Sequence, residues 1–484
     1  MVAKKIVFLS LSALLSFGVA THKVDRKPAM YGGTPSRNMV SEEKNLPSSW
    51  DIETGRNVKW QQSLGSQSYG GPVVAGDKIF MGTNNEGYRN PQLTGDRGVM
   101  MAFRTSDGKF LWQSSHPKLP AGRIHDWPLQ GVCSAPYVED DRLYYVSNRA
   151  ELICADIEGF NDGENDGPYK EEENVSKLDE DLVWKLDMIQ ELDVFPHNLA
   201  VGSPVVVGDL LFTVTGNGVD EGHINVPSPF APDFIAVNKH TGEVVWENSA
   251  PGSAVLHGSW SNPAYGILGE REQVVFPGGD GWLYSFDPET GDLIWKFNCN
   301  PKNSKWKLGG AGTKNNIIGT PVIHDNRVYI GVGQDPEHGE GPGNLWVIGG
   351  NLEGDVTEKA VVWHRGDQDF HRTLSTVAVS GEFLFIADLS GFLYCLDAQS
   401  GLLHWTYDTY AAVWSSPFVA DGKVYLGDED GDIVVLNVGK EKKVIAEMNM
   451  GDSVYTTPVA QNGVLYIASR STLYALQGGP EAKN

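Results

Sequence analysis

Cysteine is scarce in this chain of 484 residues. The four cysteines are Cys133, Cys154, Cys299 and Cys395, and no two of them are adjacent or spaced as in a CxxC motif. This spacing gives no support for a covalently attached c-type haem or for a zinc site built from cysteine thiolates. Because it also defines no disulfide framework, we expect buried free thiols.

Positive charge is also scarce, since 38 Lys and Arg residues stand against 62 Asp and Glu residues, which gives a net charge of -24. A surface with this charge repels nucleic acids and anionic membranes, so we expect no nucleic acid partner. Long apolar runs are absent after residue 20. We therefore expect a soluble protein without stable membrane insertion.

The first 20 residues have the three parts of a secretory signal peptide. A pair of lysines precedes an apolar run from Ile6 to Phe17, and three small residues follow at positions 18–20. This pattern predicts a signal peptide over residues 1–20 and export to the periplasm or the cell exterior. No cysteine follows the run, which argues against a bacterial lipid anchor.

Two short patterns recur along the rest of the chain. Segments such as AVNKHTGEVVW and SFDPETGDLIW contain an apolar strand, a turn closed by glycine, and a strand that ends in tryptophan. The turn glycines Gly108, Gly242, Gly291 and Gly401 fit a position that needs positive φ. Upstream, eight starts such as GSPVVVGDLLFTV and GTPVIHDNRVYIGV predict a hairpin of two further strands.

Four antiparallel strands per unit are typical of a propeller blade, and the 42 residues between Trp363 and Trp405 match the blade period. The eighth start lacks a fourth strand, whereas an unused strand, GRNVKW, lies near the N terminus and ends at Trp60. We therefore predict an all-β fold, an eight-bladed β-propeller of four-stranded antiparallel blades whose ring is closed by an N-terminal strand. The predicted divisions after the signal peptide are an N-terminal extension over 21–56, the propeller over 57–478 and a tail over 479–484.

The unit A-x-[DN]-x-x-[TS]-G-x-x-x-W, with its [GS]-x-P start, resembles the pyrroloquinoline quinone (PQQ)-type propeller repeat. That superfamily contains quinoprotein dehydrogenases and also non-catalytic propellers, such as the lipoprotein subunit of the bacterial barrel-assembly machine. Resemblance to the enzymes implies PQQ held over a tryptophan beside calcium, with Trp127, Trp260 and Trp414 as candidates for the floor. Adjacent cysteines and a haem motif are missing, so PQQ is not the favoured cofactor.

In a propeller, the connections from strand D to strand A and from strand B to strand C emerge on one face, around a central funnel. Most histidines of this chain fall in those connections. The candidate ligand-binding residues of the funnel are His125, Asp126, Trp127, His197, His223, His257, Trp260, Lys314, His338, His371, Arg372 and Trp414. We expect His125, His197, His257 and His371 to converge there, and the alternative is loop histidines that cap backbone groups without a ligand.

An acidic insertion between strands C and D of blade two resembles an EF-hand calcium loop. Asp162, Glu164 and Asp166 hold loop positions 1, 3 and 5, Gly167 holds position 6 and Glu173 holds position 12. This pattern predicts a calcium site on the face opposite the funnel. The alternative is a solvated acidic insertion, because no flanking helices are evident.

These observations predict an exported, non-catalytic binding or scaffold module that uses its His-rich funnel face. Its expected partner is a protein or an extracellular glycan of unknown identity. One alternative is a PQQ- and calcium-dependent dehydrogenase of alcohols or sugars. The other is a propeller that binds a polysaccharide through tryptophan and tyrosine side chains.

Overall fold

The computed structural model describes residues 27–87 and 89–478. Their strands form eight sheets, each built on four antiparallel strands, so the predicted eight-bladed propeller is confirmed. The predicted signal peptide and C-terminal tail lie outside the described residues. Within the described part, no helix has the length and apolar character of a membrane span, and the α-helix at Met188–Leu192 has only five residues.

In each blade the strands follow the order A, B, C, D, with strand A next to the channel. Blade one consists of Val73–Ala75, Lys78–Asn84, Arg97–Arg104 and Phe110–Gln113. Blade two consists of Tyr137–Glu139, Arg142–Val146, Glu151–Asp156 and Leu182–Asp187. Blade three consists of Val205–Val207, Leu210–Val214, Phe234–Asn238 and Val244–Asn248. Blade four consists of Ala264–Leu268, Arg271–Pro277, Trp282–Phe286 and Leu293–Asn298.

The second half of the ring has the same order. Blade five consists of Val322–His324, Arg327–Val332, Pro342–Gly349 and Val361–His371. Blade six consists of Ala378–Ser380, Phe383–Ala387, Phe392–Asp397 and Leu403–Asp408. Blade seven consists of Phe418–Ala420, Lys423–Gly427, Asp432–Asn437 and Val444–Asn449. Blade eight takes strands A to C from Val459–Gln461, Val464–Ala468 and Thr472–Gln477.

Strand D of blade eight is the N-terminal strand Val58–Ser63, which pairs antiparallel with Thr472–Gln477. Ser63 lies opposite Thr472 and Val58 opposite Leu476. The predicted closure by an N-terminal strand is therefore confirmed. This pairing covers the strand edge that an open array would expose, and it joins the two ends of the ring.

The repeated tryptophan packs against the next blade. Trp246 of blade three donates its indole N–H to the carbonyl of Pro288 in blade four, at 2.9 Å. A Cβ atom on Gly291, whose φ is 71°, would lie 2.7 Å from Cδ2 of the same indole. The same arrangement joins Trp60 to Gly108, Trp184 to Gly242 and Trp363 to Gly401. The turn glycine thus provides positive φ and also makes room for the neighbouring tryptophan.

Substituting this glycine should therefore cost more than its backbone conformation alone. We expect Gly291→Ala to lower the free energy of unfolding by about 3 kcal/mol, from left-handed strain and overpacking together. Gly422→Ala is the matched control, because its φ is 72° and a Cβ there would meet no atom within 4 Å. It should cost about 1 kcal/mol. Guanidinium unfolding of both variants measures the difference, and equal costs would contradict the packing role.

A belt of hydrogen bonds around the channel explains the [GS]-x-P starts. The side chain of the residue before the proline, or of Thr376 before Val377 in blade six, accepts a hydrogen bond of 2.7 to 3.4 Å from the equivalent residue of the preceding blade. The accepting residues are Ser203, Asn262, Thr320, Thr376, Ser416 and Thr457. Gly71 and Ala135 hold this position in blades one and two and have no side-chain oxygen. The belt therefore runs from blade two to blade eight.

The N-terminal extension packs inside the ring. Backbone hydrogen bonds link residues 29–41 to the innermost strands of several blades, including a parallel pairing of Val40–Ser41 with Phe418–Ala420. Arg37 is fully buried and donates to the carbonyls of Ser203, Pro204 and Pro263 in blades three and four. The extension thus crosses the channel and joins blades that are distant in sequence.

One detail differs from the sequence-based expectation of four buried thiols. Cys133 lies before strand A of blade two, because that strand begins at Tyr137. Pro136 has no N–H to donate to a strand ladder, and the residues before it line the channel instead. All four cysteines are free, and Cys133 is half-buried rather than buried.

Candidate functional site

The central channel contains a cavity of about 670 Å³. Connections from around the ring line its wall, and Tyr31 of the N-terminal extension also lines it. Besides Tyr31, the aromatic residues that line it are Tyr69, Trp127, Trp260, Trp414 and Tyr455. Tyr69 and Tyr455 stack with centroids 5.1 Å apart, and Trp414 lies 4.8 Å from Tyr455. The three tryptophans selected from the sequence therefore face one cavity.

The ionisable Asp, Glu, Lys and Arg residues in the described lining of this cavity are all acidic. Its lining includes Asp335, Glu337, Glu340 and Glu429, and none of the described lining residues is Lys or Arg. The indole nitrogen of Trp414 is buried and donates no hydrogen bond within the described part of the chain. The cavity therefore combines aromatic faces, carboxylates and one free N–H donor, which suits a ligand with positive charge and hydrogen-bonding groups.

Four histidines from separate connections come together beside the cavity. The centroid of His257 lies 4.6 Å from those of His197 and His223, and 5.0 Å from that of His338. His197 and His257 come from D–A connections, whereas His223 and His338 come from the B–C insertions of blades three and five. Trp260 packs at 4.7 Å from His257 and closes the cluster on another side.

Hydrogen bonds fix the protons on two of these rings. His197 Nδ1 lies 2.8 Å from the carbonyl of Val219, so this nitrogen must be the donor, and its Nε2 is buried without a hydrogen-bond partner among the described residues. Gln334 Nε2 donates to the carbonyl of Lys314, which leaves Gln334 Oε1 to accept from His338 Nδ1 at 3.0 Å. His338 Nε2 therefore carries a lone pair.

His257 differs from His197 and His338, because neither of its ring nitrogens has a hydrogen-bond partner among the described residues. This ring is fully buried, and neither Nδ1 nor Nε2 makes a hydrogen bond to a described residue. Its Nε2 lies 3.4 Å from Glu337 Oε1, and His338 Nε2 lies 3.6 Å from the same oxygen. Among the described residues, the one group of three or more His, Cys, Asp or Glu side chains whose ligand atoms all lie within 4.8 Å comprises His223, His257, Glu337 and His338.

Burial keeps the imidazoles of His197, His257 and His338 uncharged. Desolvation, followed by the neighbouring rings, lowers the pKa of His257 to about 2. Desolvation also lowers the pKa values of His197 and His338 to about 4. At neutral pH these three rings are therefore neutral and offer lone pairs rather than positive charge.

Some predicted funnel residues have other contacts. The carboxylate of Asp126 accepts hydrogen bonds from Lys118 Nζ at 2.6 Å and from Asn148 at 2.8 Å. The ring of His125 lies 4.4 Å from that of Phe195, edge to face. His371 pairs through Nδ1 with Asp388, at 2.9 Å, and does not belong to the four-histidine cluster. Of the four histidines expected to converge, the structure thus brings His197 and His257 into contact.

Arg372 donates hydrogen bonds to two loops beside the histidine cluster. It is almost fully buried and donates to the carbonyls of His338, Gly339, Glu340, Gly310 and Gly312. These bonds hold the loop that carries Glu337 and His338 against the insertion before blade five. Lys314 contributes its backbone carbonyl to Gln334, as described above.

The acidic insertion of blade two lies apart from this cluster. Asp162 accepts a hydrogen bond from the backbone N–H of Glu164, and the carboxylate of Asp166 lies 3.4 Å from the guanidinium of Arg142. Glu173 lines a separate cavity of about 260 Å³ beside blade two. Calcium binding by this loop stays a prediction, with Arg142 as an internal partner that calcium would have to displace from Asp166.

Sequence reasoning did not select Glu337, Gln334, Tyr69 or Tyr455. A signal for Glu337 was present, because GQDPEHGEGPG is a long B–C insertion with a carboxylate next to a histidine. The two tyrosines stand three residues before the proline that precedes strand A in blades one and eight, which is the position of Trp260 and Trp414 in their blades. The role of Gln334 depends on the fold of its loop and has no local signature.

The chain resembles several characterised proteins. The family model described as "Outer membrane protein assembly factor BamB" matches residues 20–114, 181–337 and 353–444, which is more than half of the chain. The chain is 23% identical over 376 residues to outer membrane protein assembly factor BamB of Escherichia coli strain K12, covering 69% of this chain and 82% of that protein. The crystal structure of BamB from Moraxella catarrhalis has a TM-score of 0.53 at 14% identity, covering 87% of this chain and 98% of that chain.

A second resemblance is to a part of larger enzymes. The chain is 26% identical over 216 residues to the dehydrogenase subunit of alcohol dehydrogenase (quinone) from Gluconacetobacter polyoxogenes. This similarity covers 35% of this chain and 29% of that protein, so the chain spans less than a third of the relative. A shared propeller repeat accounts for similarity of this extent.

Proposed function

Because this chain belongs to the PQQ-like propeller family described as outer membrane protein assembly factor BamB, we propose that it is an exported, non-catalytic binding module. Its ligand is a segment of a protein partner that carries Lys or Arg side chains. The segment enters the funnel cavity, where it meets aromatic faces and carboxylates. The name of the family, an assembly factor, favours a protein partner over a small substrate.

The lining of the funnel is the observation that carries this proposal. Trp127, Trp260 and Trp414 line the cavity that a cation would enter, and Glu429 lies beside Tyr455 and lines the same cavity. A cation over such a ring gains about 0.5–2 kcal/mol, depending on its desolvation. The net charge of -24 would also accelerate the approach of a basic partner.

A quinone cofactor fits this lining poorly. PQQ carries three carboxylates, whereas the described lining contains four acidic side chains and no Lys or Arg. Bringing such an anion into the cavity would place like charges together without a Lys or Arg side chain in the described lining to compensate them. The tryptophans match the resemblance to quinoproteins, but the charges do not, so we assign no reaction step to PQQ.

We expect a tetra-arginine peptide amide to bind the purified protein with one-to-one stoichiometry, and a tetra-glutamate peptide to fail. Trp414→Ala and Glu429→Gln should each weaken binding about 10-fold, which corresponds to about 1.4 kcal/mol. Calorimetry measures the affinity, and tryptophan fluorescence reports on the cavity itself. Glu289→Gln is the control, because Glu289 is exposed in the C–D turn of blade four, on the opposite face.

Each other outcome points to a different function. Equal binding by wild type, Trp414→Ala and Glu429→Gln would indicate general attraction to an acidic surface and would contradict the funnel. Binding of a neutral oligosaccharide in place of the peptide would favour the glycan reading. Binding of PQQ together with calcium would favour a dehydrogenase, and dye-linked assays of alcohols and sugars would follow.

A further inference from the structure

We propose that His223, His257, His338 and Glu337 form a binding site for one first-row transition-metal dication, with Zn²⁺ as the reference ion. The site adjoins the funnel cavity through Glu337. It does not depend on the identity of the partner proposed above, because its ligands all belong to this chain.

The distances between the ligand atoms match those around a metal ion. Four ligands arranged as a tetrahedron at about 2.0–2.1 Å from zinc are about 3.3 Å from one another. Glu337 Oε1 lies 3.4 Å from His257 Nε2 and 3.6 Å from His338 Nε2. The ligand atom of His223 lies within 4.8 Å of the other three. Small adjustments would bring all four to one centre.

The hydrogen bonds described for the cluster do not occupy the ring nitrogens of His257 or the Nε2 atom of His338, which are the atoms proposed as ligands. A buried imidazole normally has a partner for its ring nitrogens, and an orphaned buried polar atom costs about 1–3 kcal/mol. His257 is fully buried and has no hydrogen bond at either nitrogen to a described residue. His338 Nε2 presents a lone pair toward a carboxylate oxygen, which is an arrangement that a cation between them would stabilise.

Outer contacts hold the ligands in position, as is usual around metal sites. Gln334 accepts from His338 Nδ1 and thereby directs His338 Nε2 toward the centre. Arg372 fixes the carbonyls at positions 338–340, just beyond Glu337. His223 has a φ of 55°, an unusual backbone conformation for a non-glycine residue that its loop maintains.

The donor set selects the class of metal. Three imidazoles and one carboxylate suit zinc and its neighbours in the first transition row, whereas calcium and magnesium prefer shells of oxygen ligands. Four protein ligands leave no obligatory open position, which is typical of structural sites. Such an ion would join the B–C insertions of blades three and five to the D–A connection before blade four. It would also neutralise one carboxylate of the funnel.

Zinc titration of the chelator-treated, dialysed protein tests the site. We expect one tightly bound equivalent, an increase in the thermal midpoint, and no competition from a large excess of Ca²⁺. His257→Gln removes a proposed ligand and should weaken zinc binding more than about 100-fold. Gln334→Leu removes a hydrogen bond to a ligand, and it should weaken zinc binding about 10-fold, within the 10–100-fold range typical of such residues. The control is His240→Gln, whose ring is exposed and pairs with Asp209 at 3.1 Å. It should bind zinc like wild type.

Glu337→Gln keeps the test valid if His257→Gln fails to fold, because the Glu337 side chain is 40% exposed. It should fold normally and bind zinc at least 10-fold more weakly. Substitution by Co²⁺ should give the visible absorption of a tetrahedral ion in wild type, and this band should be lost in Glu337→Gln. Wild-type zinc affinity in folded Glu337→Gln, or the absence of a bound equivalent in wild type, would overturn the proposal.

Discussion

We expect Arg37→Met to lower the free energy of unfolding by about 4 kcal/mol. The guanidinium of Arg37 is fully buried and donates to the carbonyls of Tyr31, Ser203, Pro204 and Pro263. Burial lowers the pKa of Arg37 to about 10, so the group is still charged at neutral pH. Methionine has a similar length but no donor, and it would leave the carbonyls of blades three and four without a partner.

Two comparisons separate this effect from loss of charge. Arg37→Lys keeps the charge but has no planar fork of donors, so it should cost about 2 kcal/mol. Arg271→Met removes an exposed arginine that pairs with Asp287 at 2.9 Å, and it should cost less than about 1 kcal/mol. Guanidinium unfolding followed by tryptophan fluorescence measures all three. A cost for Arg37→Met as small as that for Arg271→Met would contradict the role of the N-terminal extension in joining the blades.

Truncation of Trp60 should weaken the closure of the ring. We expect Trp60→Ala to lower the free energy of unfolding by about 3–5 kcal/mol, as for other buried aromatic residues. The indole donates to the carbonyl of Thr105 in blade one at 2.9 Å, faces Gly108, and lies 5.9 Å from the ring of Tyr466 in blade eight. Its loss creates a cavity where the first and last blades meet.

Trp282→Ala is the control for Trp60→Ala. Trp282 is half-buried in strand C of blade four, with Lys296 Nζ 5.0 Å from the centroid of its ring, and its loss should cost about 1 kcal/mol. Hydrogen exchange of Trp60→Ala should accelerate first in Val464–Ala468 and Lys78–Asn84, the B strands on either side of the closure. Uniform acceleration around the ring would mean that closure does not depend on this contact.

The position of the histidines could be predicted only in part. The rule that D–A and B–C connections share a face placed His197, His223, His257 and His338 on one rim. It could not separate them from His371, which pairs with Asp388. Loop insertions differ in length between blades, so no repeat sets the register of one insertion against another. Long-range packing decides which rings touch.

The blades and their closure could be predicted from the amino-acid sequence. Strand, turn and tryptophan recur along the chain, and Gly291 and Trp246 have the same local roles in each copy where they occur, so the pattern is readable without coordinates. The missing fourth strand at the C terminus and the unused strand ending at Trp60 left one way to complete the ring.

The contacts of the N-terminal extension and of the histidine cluster depend on long-range packing and could not be predicted from the sequence. Nothing local to Arg37 indicates that it will lie buried between blades three and four, since the backbone carbonyls that it contacts there are more than 160 residues away. Glu337 and His257 are 80 residues apart and meet only because the ring curves. Backbone carbonyls and neighbouring insertions carry no side-chain signature of their own, so these contacts become visible only in the folded chain.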